Sequence, residues 1–126
     1  MDVYLKSIFE ALNAEYFKGK LIMSDISWMG EESKTNFGRL ELRKKIIQIN
    51  PNLRSNPKAL RFIVYHESVH LFLDSKEHNI EFKRIMCQYK DYQAEFLNLL
   101  KAIKDFWIEI GYLSEKELIE IREERK

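Results

Sequence analysis

The segment from Leu60 to Leu73 places a polar motif inside an apolar helical pattern. The motif reads His66-Glu67-Ser68-Val69-His70, and the residues around it are apolar on nearly every side, which is typical of a helix at the centre of a fold. Residues i and i+4 lie on one face of a helix, so His66 and His70 direct their imidazoles at a common point. Because unpaired buried polar groups cost about 1 to 3 kcal/mol each, these two histidines require a shared partner.

A metal ion is the partner that this spacing favours. H-E-x-x-H on a helix supplies two metal ligands and an adjacent general base. Glu67 lies about 100° round the helix from His66, within reach of a water on the metal without having to coordinate it. The alternative is a core helix whose histidines are held by ordinary hydrogen bonds. The motif predicts a zinc site at His66 and His70 with Glu67 as the catalytic residue.

A catalytic zinc usually has three protein ligands and one open position. The chain has three histidines, and the third, His78, follows His70 by eight residues, beyond the predicted helix end. A loop there can fold back over the metal, so we predict His78 as the third ligand. Asp74, Glu77 and Glu81 are the alternatives.

Capping and apolar patterns predict the elements before this helix. Asp2 is a candidate N-cap for a first helix that stops near Gly19. Three segments have strand character: Asp25 to Met29, Phe37 to Arg43 and Lys45 to Asn50. We expect a small, largely antiparallel sheet whose third strand is the most buried. Asn56-Pro57 then opens the central helix, which runs to about Asp74.

The residues after the motif predict a helical extension. Apolar residues from Phe82 to Ile110 keep helical spacing, as one long helix or as two with a break near Lys90-Asp91. The segment Leu113 to Leu118 contains a capping box that opens a last short helix. Cys87 lies in the apolar pattern, so we expect a small core residue. With 126 residues, the chain is about one domain, residues 1–126, with a core of about 1–87 and an extension of about 88–126.

Charge is balanced overall but unevenly distributed. The net charge is +1, yet the segment from Ser33 to Phe62 holds only one acid, Glu41. It has eight basic residues: Lys34, Arg39, Arg43, Lys44, Lys45, Arg54, Lys58 and Arg61. A basic face of this kind can meet DNA, RNA or an acidic protein, but no aromatic interleaving accompanies it, so a solvated surface is favoured.

The chain has no apolar run long enough for a membrane span and no signal-peptide pattern at Met1. We therefore expect an intracellular protein, cytoplasmic or associated with the nucleoid or nucleus.

The order of several short motifs resembles the SprT-like metallopeptidase domain over about residues 5 to 87. The motifs are Leu12-Asn13-x-Glu15-Tyr16-Phe17-x-Gly19-Lys20-Leu21, Trp28, Gly38-Arg39, Ile47-x-Ile49-Asn50-Pro51, His66-Glu67-x-x-His70 and His78-x-x-Glu81-Phe82. The resemblance implies an α+β, zincin-like fold with a small three-stranded sheet packed on an N-terminal helix and the central H-E-x-x-H helix. It further implies Zn²⁺ held by His66, His70 and His78, with Glu67 as base. For some members it implies proteolysis of DNA-bound proteins.

This chain departs from the resemblance in two respects. Asn79 stands where a glycine usually follows the third ligand, and helices take the place of a cysteine-rich zinc ribbon.

The expected function is zinc-dependent hydrolysis of peptide bonds in protein substrates. An extended substrate can add to the sheet edge near Phe37 to Arg43. The alternatives are a catalytically silent, zinc-stabilised module that binds DNA or protein, and a narrow protease without a DNA role. Glu67 discriminates against the silent module, because a structural zinc needs no adjacent base. The sequence does not choose an oxyanion stabiliser among Tyr65, Tyr89, Tyr92, Tyr112 and Arg39.

Overall fold

The computed structural model describes residues 1–31 and 36–109. In order, the elements are α1 (Val3–Phe17), β1 (Asp25–Trp28), β2 (Gly38–Glu41), β3 (Ile46–Ile49), a 3-10 helix (Pro51–Ser55), α2 (Pro57–Leu73), α3 (Ile80–Met86) and α4 (Tyr92–Glu109). The predicted α+β organisation is confirmed, with the strands grouped between the first helix and the central helix. The last helix predicted from Leu113 lies outside the described residues.

The sheet is mixed, with strand order β1-β3-β2. β2 and β3 form the antiparallel hairpin, but β1 pairs with β3 in parallel, so the expectation of a largely antiparallel sheet is wrong for β1. Strand pairing depends on where the chain crosses between β1 and β2, and local sequence pattern does not encode that path. The side chains of Ile26, Ile47 and Leu40 form one row across the sheet and are buried against the helices.

Helix α2 is the central element, as predicted. The side chain of its N-cap Asn56 accepts a hydrogen bond from the Ala59 amide at 3.1 Å, and Pro57 occupies the first turn. The helix ends at Leu73, where Asp74 adopts a left-handed conformation with a φ of 51°. Its side chains are buried nearly all round, and it packs against α1, α3, α4, β2 and β3.

Helix α1 is capped at its N-terminus by Asp2 and ends before Lys18 and Gly19. The Asp2 carboxylate accepts from the Leu5 amide at 2.9 Å, which confirms the predicted N-cap. The helix itself stops at Phe17, and Lys18 and Gly19 both have positive φ angles. The Asn13 side chain then bonds both backbone groups of Leu21 and fixes the following loop.

The apolar pattern after the motif is broken into two helices. α3 ends at Met86 and α4 begins at Tyr92, with Asp91 at a φ of 58° in the turn between them. Cys87 is exposed, so the prediction that it belongs to the core is wrong. The helical period ends one residue before it, and Met86 and Tyr89 take the buried positions at this turn. Among the helices of the described residues, none is both long and apolar enough to cross a bilayer.

Candidate metal centre and active site

Three imidazoles converge beside the C-terminal half of helix α2. His66 and His70 come from adjacent turns of α2, and His78 comes from the loop that joins α2 to α3. The His70 Nε2 atom lies 3.2 Å from His66 Nε2 and 3.1 Å from His78 Nε2. Nitrogen ligands of a tetrahedral zinc at about 2.1 Å lie about 3.4 Å from one another. The spacing of these atoms therefore fits a common metal ion.

Hydrogen bonding alone does not account for this convergence. The Nδ1 atom of His70 lies 2.8 Å from the Ser75 carbonyl oxygen, which can only accept, so Nδ1 carries the proton. Neutral His70 then has a single lone pair on Nε2, and two imidazole nitrogens approach it. Only one of them can donate to it, whereas a metal ion satisfies all three.

Two of the imidazoles, those of His66 and His70, are held in the neutral form that binds metal. Burial, reinforced by the nearby His70 and His78 rings, lowers the pKa of His66 to about 3. Burial also lowers the pKa of His70, although the bond to the Ser75 carbonyl opposes this. Because metal ligation requires an unprotonated nitrogen, both residues are ready to coordinate at neutral pH.

Phe82, in the first turn of α3, covers the histidine cluster. Its ring stacks on His70 at 4.4 Å between centroids, and lies 5.0 Å from the His66 ring and 4.8 Å from the His78 ring. The Asn79 side chain caps α3 by accepting from the Phe82 amide at 3.0 Å. The same short segment therefore sets the position of His78 and of the apolar ring against which all three imidazoles pack.

Glu67 is a buried carboxylate beside the cluster, with only 6% of its surface exposed. Within residues 1–31 and 36–109 its carboxylate oxygens have no hydrogen-bond donor. Burial raises the pKa of Glu67 to about 7, and the positive charge of Lys76 opposes that rise. A carboxyl group whose pKa lies near neutrality can both accept a proton and return it.

The edge strand β2 approaches Glu67 closely at Gly38. A Cβ atom on Gly38 would lie 2.8 Å from Ile63 Cγ2 and 3.2 Å from Glu67 Oε1. Only glycine allows this approach without displacing one of the two elements. Gly38 belongs to the Gly38-Arg39 motif, but its contact with Glu67 could not be predicted from the sequence.

The free edge of β2 presents the backbone groups of Gly38. The Asn50 amide donates to the Phe37 carbonyl at 2.9 Å, so these two residues form a hydrogen-bonded pair across the hairpin. Hydrogen-bonded pairs alternate with non-bonded ones in an antiparallel ladder, so the next pair, Gly38 with Ile49, is non-bonded. The Ile49 carbonyl accordingly accepts from Met29 on the other side, at 2.8 Å. The N–H and C=O of Gly38 therefore point away from β3, towards the edge.

The alternative ligands are not part of the cluster. Among the described residues, the group that can hold a metal ion consists of the three histidines, whose ligand atoms lie within 4.8 Å of one another. Asp74 serves as the C-cap of α2, and Glu77 and Glu81 are exposed.

Most of the candidate oxyanion stabilisers are engaged elsewhere. The Tyr65 hydroxyl donates to the Ile85 carbonyl at 2.7 Å, and the Tyr89 hydroxyl accepts from Arg61 at 2.9 Å. Tyr92 packs on Phe62 and Phe96. Arg39 lies on the opposite face of β2 from Gly38 and Leu40, with its guanidinium 3.8 Å from the Met29 sulfur. Tyr112 lies outside the described residues.

The strand and helix order, with a histidine cluster on the central helix, defines the fold as that of a zincin-like metallopeptidase. The solved metallopeptidase zymogen jannalysin of Methanocaldococcus jannaschii is similar, with 18% sequence identity, a TM-score of 0.55, and coverage of 76% of this chain and 96% of jannalysin. The metallopeptidase zymogen abylysin of Pyrococcus abyssi is also similar, with 16% identity, a TM-score of 0.59, and coverage of 77% and 95%.

The model of the SprT-like family matches residues 5–102, and the chain belongs to this family. No curated protein matches the sequence at a significant level. Family membership, together with the fold of the structural neighbours, supports a metalloprotease-type function, and the histidine cluster is compatible with a metal site.

Proposed function

We propose that the protein is a zinc-dependent metalloendopeptidase in which His66, His70 and His78 bind the metal and Glu67 is the general base. The observation that carries this proposal is the convergence of three Nε2 atoms beside a buried carboxylate that has no donor among the described residues. Structural zinc sites usually have four protein ligands. In residues 1–31 and 36–109 no fourth Cys, His, Asp or Glu joins the cluster, which favours a position open to water.

The chain's own groups divide the remaining chemistry among them. When bound, zinc supplies Lewis acidity that activates a water molecule and polarises the scissile carbonyl. Glu67 takes the proton from the attacking water and returns it to the leaving amine. The Ser75 carbonyl holds the His70 ring with its Nε2 lone pair turned towards the cluster. Phe82 gives the three imidazoles an apolar surface that restrains their rotation.

An extended peptide is the substrate form that this site favours. The N–H and C=O of Gly38, which have no partner among the described residues, point to the sheet edge beside Glu67. A segment added to β2 would run past the proposed base. Main-chain hydrogen bonds of this kind bind extended peptides with little dependence on their sequence. We therefore propose unfolded or locally unfolded protein segments as substrates.

The test compares the wild type with Glu67→Gln for zinc content and for cleavage of an unfolded protein such as casein. We expect about one zinc per chain in both proteins, and a loss of cleavage of at least about 100-fold in the variant. Glu77→Gln, which changes an exposed carboxylate nearby, is the control and should remain active. If the wild type binds zinc but cleaves no substrate, the protease proposal is excluded and the catalytically silent binding module is favoured. Full activity in Glu67→Gln would exclude Glu67 as the base.

We further propose that the basic segment can bring the enzyme to DNA in an intracellular compartment. Arg61 is engaged by Glu15 at 2.7 Å, and Lys44 lies 3.9 Å from Glu41. Five other basic side chains have no acidic partner among the described residues and are exposed: Arg39, Arg43, Lys45, Arg54 and Lys58. Of these, Arg54 also stacks on the Trp28 ring. Lys34 lies outside the described residues.

Single-stranded DNA should then accelerate cleavage of a DNA-bound protein, and added salt should abolish the acceleration. Equal rates with and without DNA at low salt would favour the narrow protease without a DNA role.

A further inference from the structure

Asn50 is a polar residue whose side chain is completely buried. It follows β3 and forms the N-cap of the 3-10 helix, where its Oδ1 accepts from the Asn52 amide at 3.0 Å. Its Nδ2 donates to the Asn36 carbonyl at 3.0 Å. One amide group therefore joins the end of the central strand to the segment that leads into the edge strand β2.

The backbone of Asn50 strengthens the same connection. Its amide donates to the Phe37 carbonyl at 2.9 Å, so Asn50 binds two consecutive carbonyls directly before Gly38. Gly38 is the residue whose backbone approaches Glu67 and whose N–H and C=O point to the free edge. A shift of residues 36 and 37 would therefore move the first edge position relative to the proposed base.

We propose that the Asn50 side chain is a positioning residue for substrate, which holds the start of β2 so that an extended peptide paired with Gly38 lies at the correct distance from Glu67. This inference rests on the proposed function and deepens it. Cleavage rates are sensitive to such placement, since displacements of about 1 Å can cost about 100-fold in rate. The capping role of Asn50 needs only its oxygen, whereas the positioning role needs its Nδ2 donor.

Two substitutions separate the two roles. Asn50→Asp keeps an oxygen acceptor for the Asn52 amide and nearly the same shape, but it removes the donor to the Asn36 carbonyl. Asn50→Ser also keeps a good N-cap group, carries no charge, and is too short to reach Asn36. Either variant suffices if the other does not fold.

Asn13 offers a matched control elsewhere in the fold. Its Nδ2 donates to the Leu21 carbonyl at 3.1 Å and its Oδ1 accepts from the Leu21 amide at 3.0 Å. It therefore bridges a loop with the same pair of bonds, but that loop leads to β1, at the opposite edge of the sheet. Asn13→Asp makes the same chemical change without touching the β2 edge.

The experiment measures two quantities. The first is steady-state cleavage of an extended peptide, and the second is binding of that peptide to the Glu67→Gln protein with and without Asn50→Asp or Asn50→Ser. We expect KM and Kd to rise by about tenfold in both Asn50 variants, and kcat to fall because the bound peptide is displaced from Glu67, with zinc content unchanged. Asn13→Asp should leave both constants within about twofold of their starting values.

Unchanged KM and Kd in zinc-loaded Asn50 variants would overturn the proposal, as would equal increases in Asn13→Asp. Loss of zinc together with the rise in KM would also overturn it, because the effect would then reach the site through global structure. Failure of the proposed function would give a different result, because the wild type would not cleave the peptide. The Kd measurements would still show whether Asn50 affects peptide binding at the edge of β2.

Discussion

The two faces of helix α2 carry polar side chains that differ in their hydrogen-bond partners. On one face Tyr65 donates to the Ile85 carbonyl, and Arg61 donates to both Glu15 and the Tyr89 hydroxyl. On the other face the Nε2 atoms of His66 and His78 lie within 3.2 Å of His70 Nε2, and Glu67 has no donor among the described residues. The polar groups of the first face bond one another or the backbone and stabilise the fold, whereas the arrangement on the second face suits the proposed metal ion and its water.

The two faces are nevertheless connected through α3. The Tyr65 hydroxyl holds the last turn of α3, while Phe82 in its first turn packs under the imidazoles. Around Tyr65, the rings of Tyr16, Phe17 and Tyr89 lie within 5.8 Å between centroids. The face of α2 with Arg61 and Tyr65, here called the aromatic face, therefore fixes α3, and α3 supplies the Phe82 ring that packs on the histidine face. Substitutions on the aromatic face should change stability, and substitutions on the histidine face should change metal binding and catalysis.

The largest effect is expected at His78. His78→Ala removes one of three converging nitrogens, and zinc affinity should fall by more than about 100-fold, since even an outer-shell partner costs 10- to 100-fold. Zinc per chain is the measurement, and Glu77→Ala, an exposed neighbour, should retain its metal. If His78→Ala kept one zinc at full affinity, the third ligand would have to be another residue.

Gly38→Ala should come next. The added methyl would overlap Ile63 and press on the Glu67 side chain, so kcat/KM should fall by about 100-fold while zinc stays bound. The free energy of unfolding should drop by about 1 to 3 kcal/mol. Gly30→Ala is the control, because nothing lies within 4 Å of the position of its Cβ. Wild-type kinetics in Gly38→Ala would show that the edge strand does not have to approach Glu67 so closely.

On the aromatic face, Tyr65→Phe should reduce stability by about 1 kcal/mol, because the Ile85 carbonyl loses its donor. Denaturant unfolding of the zinc-free protein measures this directly. The metal site keeps all of its ligands, so zinc content should not change. Tyr4→Phe alters a hydroxyl on a half-exposed ring and should be neutral. A loss of zinc in Tyr65→Phe would mean that the two faces are coupled more tightly than their separate bonding suggests.

The smallest effect is expected for Glu15→Gln. The Arg61 and Glu15 side chains are 38% and 48% exposed, and ion pairs in such settings contribute about 0.5 kcal/mol, less at high salt. Unfolding at low and high ionic strength should show this small difference and its disappearance. A salt-independent loss above about 2 kcal/mol would indicate a buried pair instead.

The features that could be predicted from sequence are those set by local spacing. The caps at Asp2 and Asn56 and the extent of α2 depend on residues within a turn or two of each other. The break before Tyr92 is one of the two possibilities that the apolar pattern leaves open. The convergence of His78 on His66 and His70 also follows from short range, because only a brief loop separates it from the helix.

The remaining features depend on long-range contacts. The parallel pairing of β1 depends on the route of the chain across the sheet, and the contact of Gly38 with Glu67 joins residues far apart in sequence. The apolar pattern predicts a core position for Cys87, because it gives no indication that the helix ends at Met86. The position of Asn50 before a proline indicates the end of a strand. Its hydrogen bond to the Asn36 carbonyl cannot be predicted from the sequence, because it joins residues that only the fold brings together.

The acceptor that orients His70 has a consequence for how this protein can vary over time. The Ser75 group involved is a main-chain oxygen, which every amino acid possesses. Position 75 can therefore drift through many side chains without altering the tautomer of His70, provided that the left-handed turn at Asp74 persists. The orientation of the His70 ring depends on the backbone conformation at Asp74 and Ser75 and not on the side chain at position 75. Chains with different residues at position 75 can therefore orient the ring in the same way.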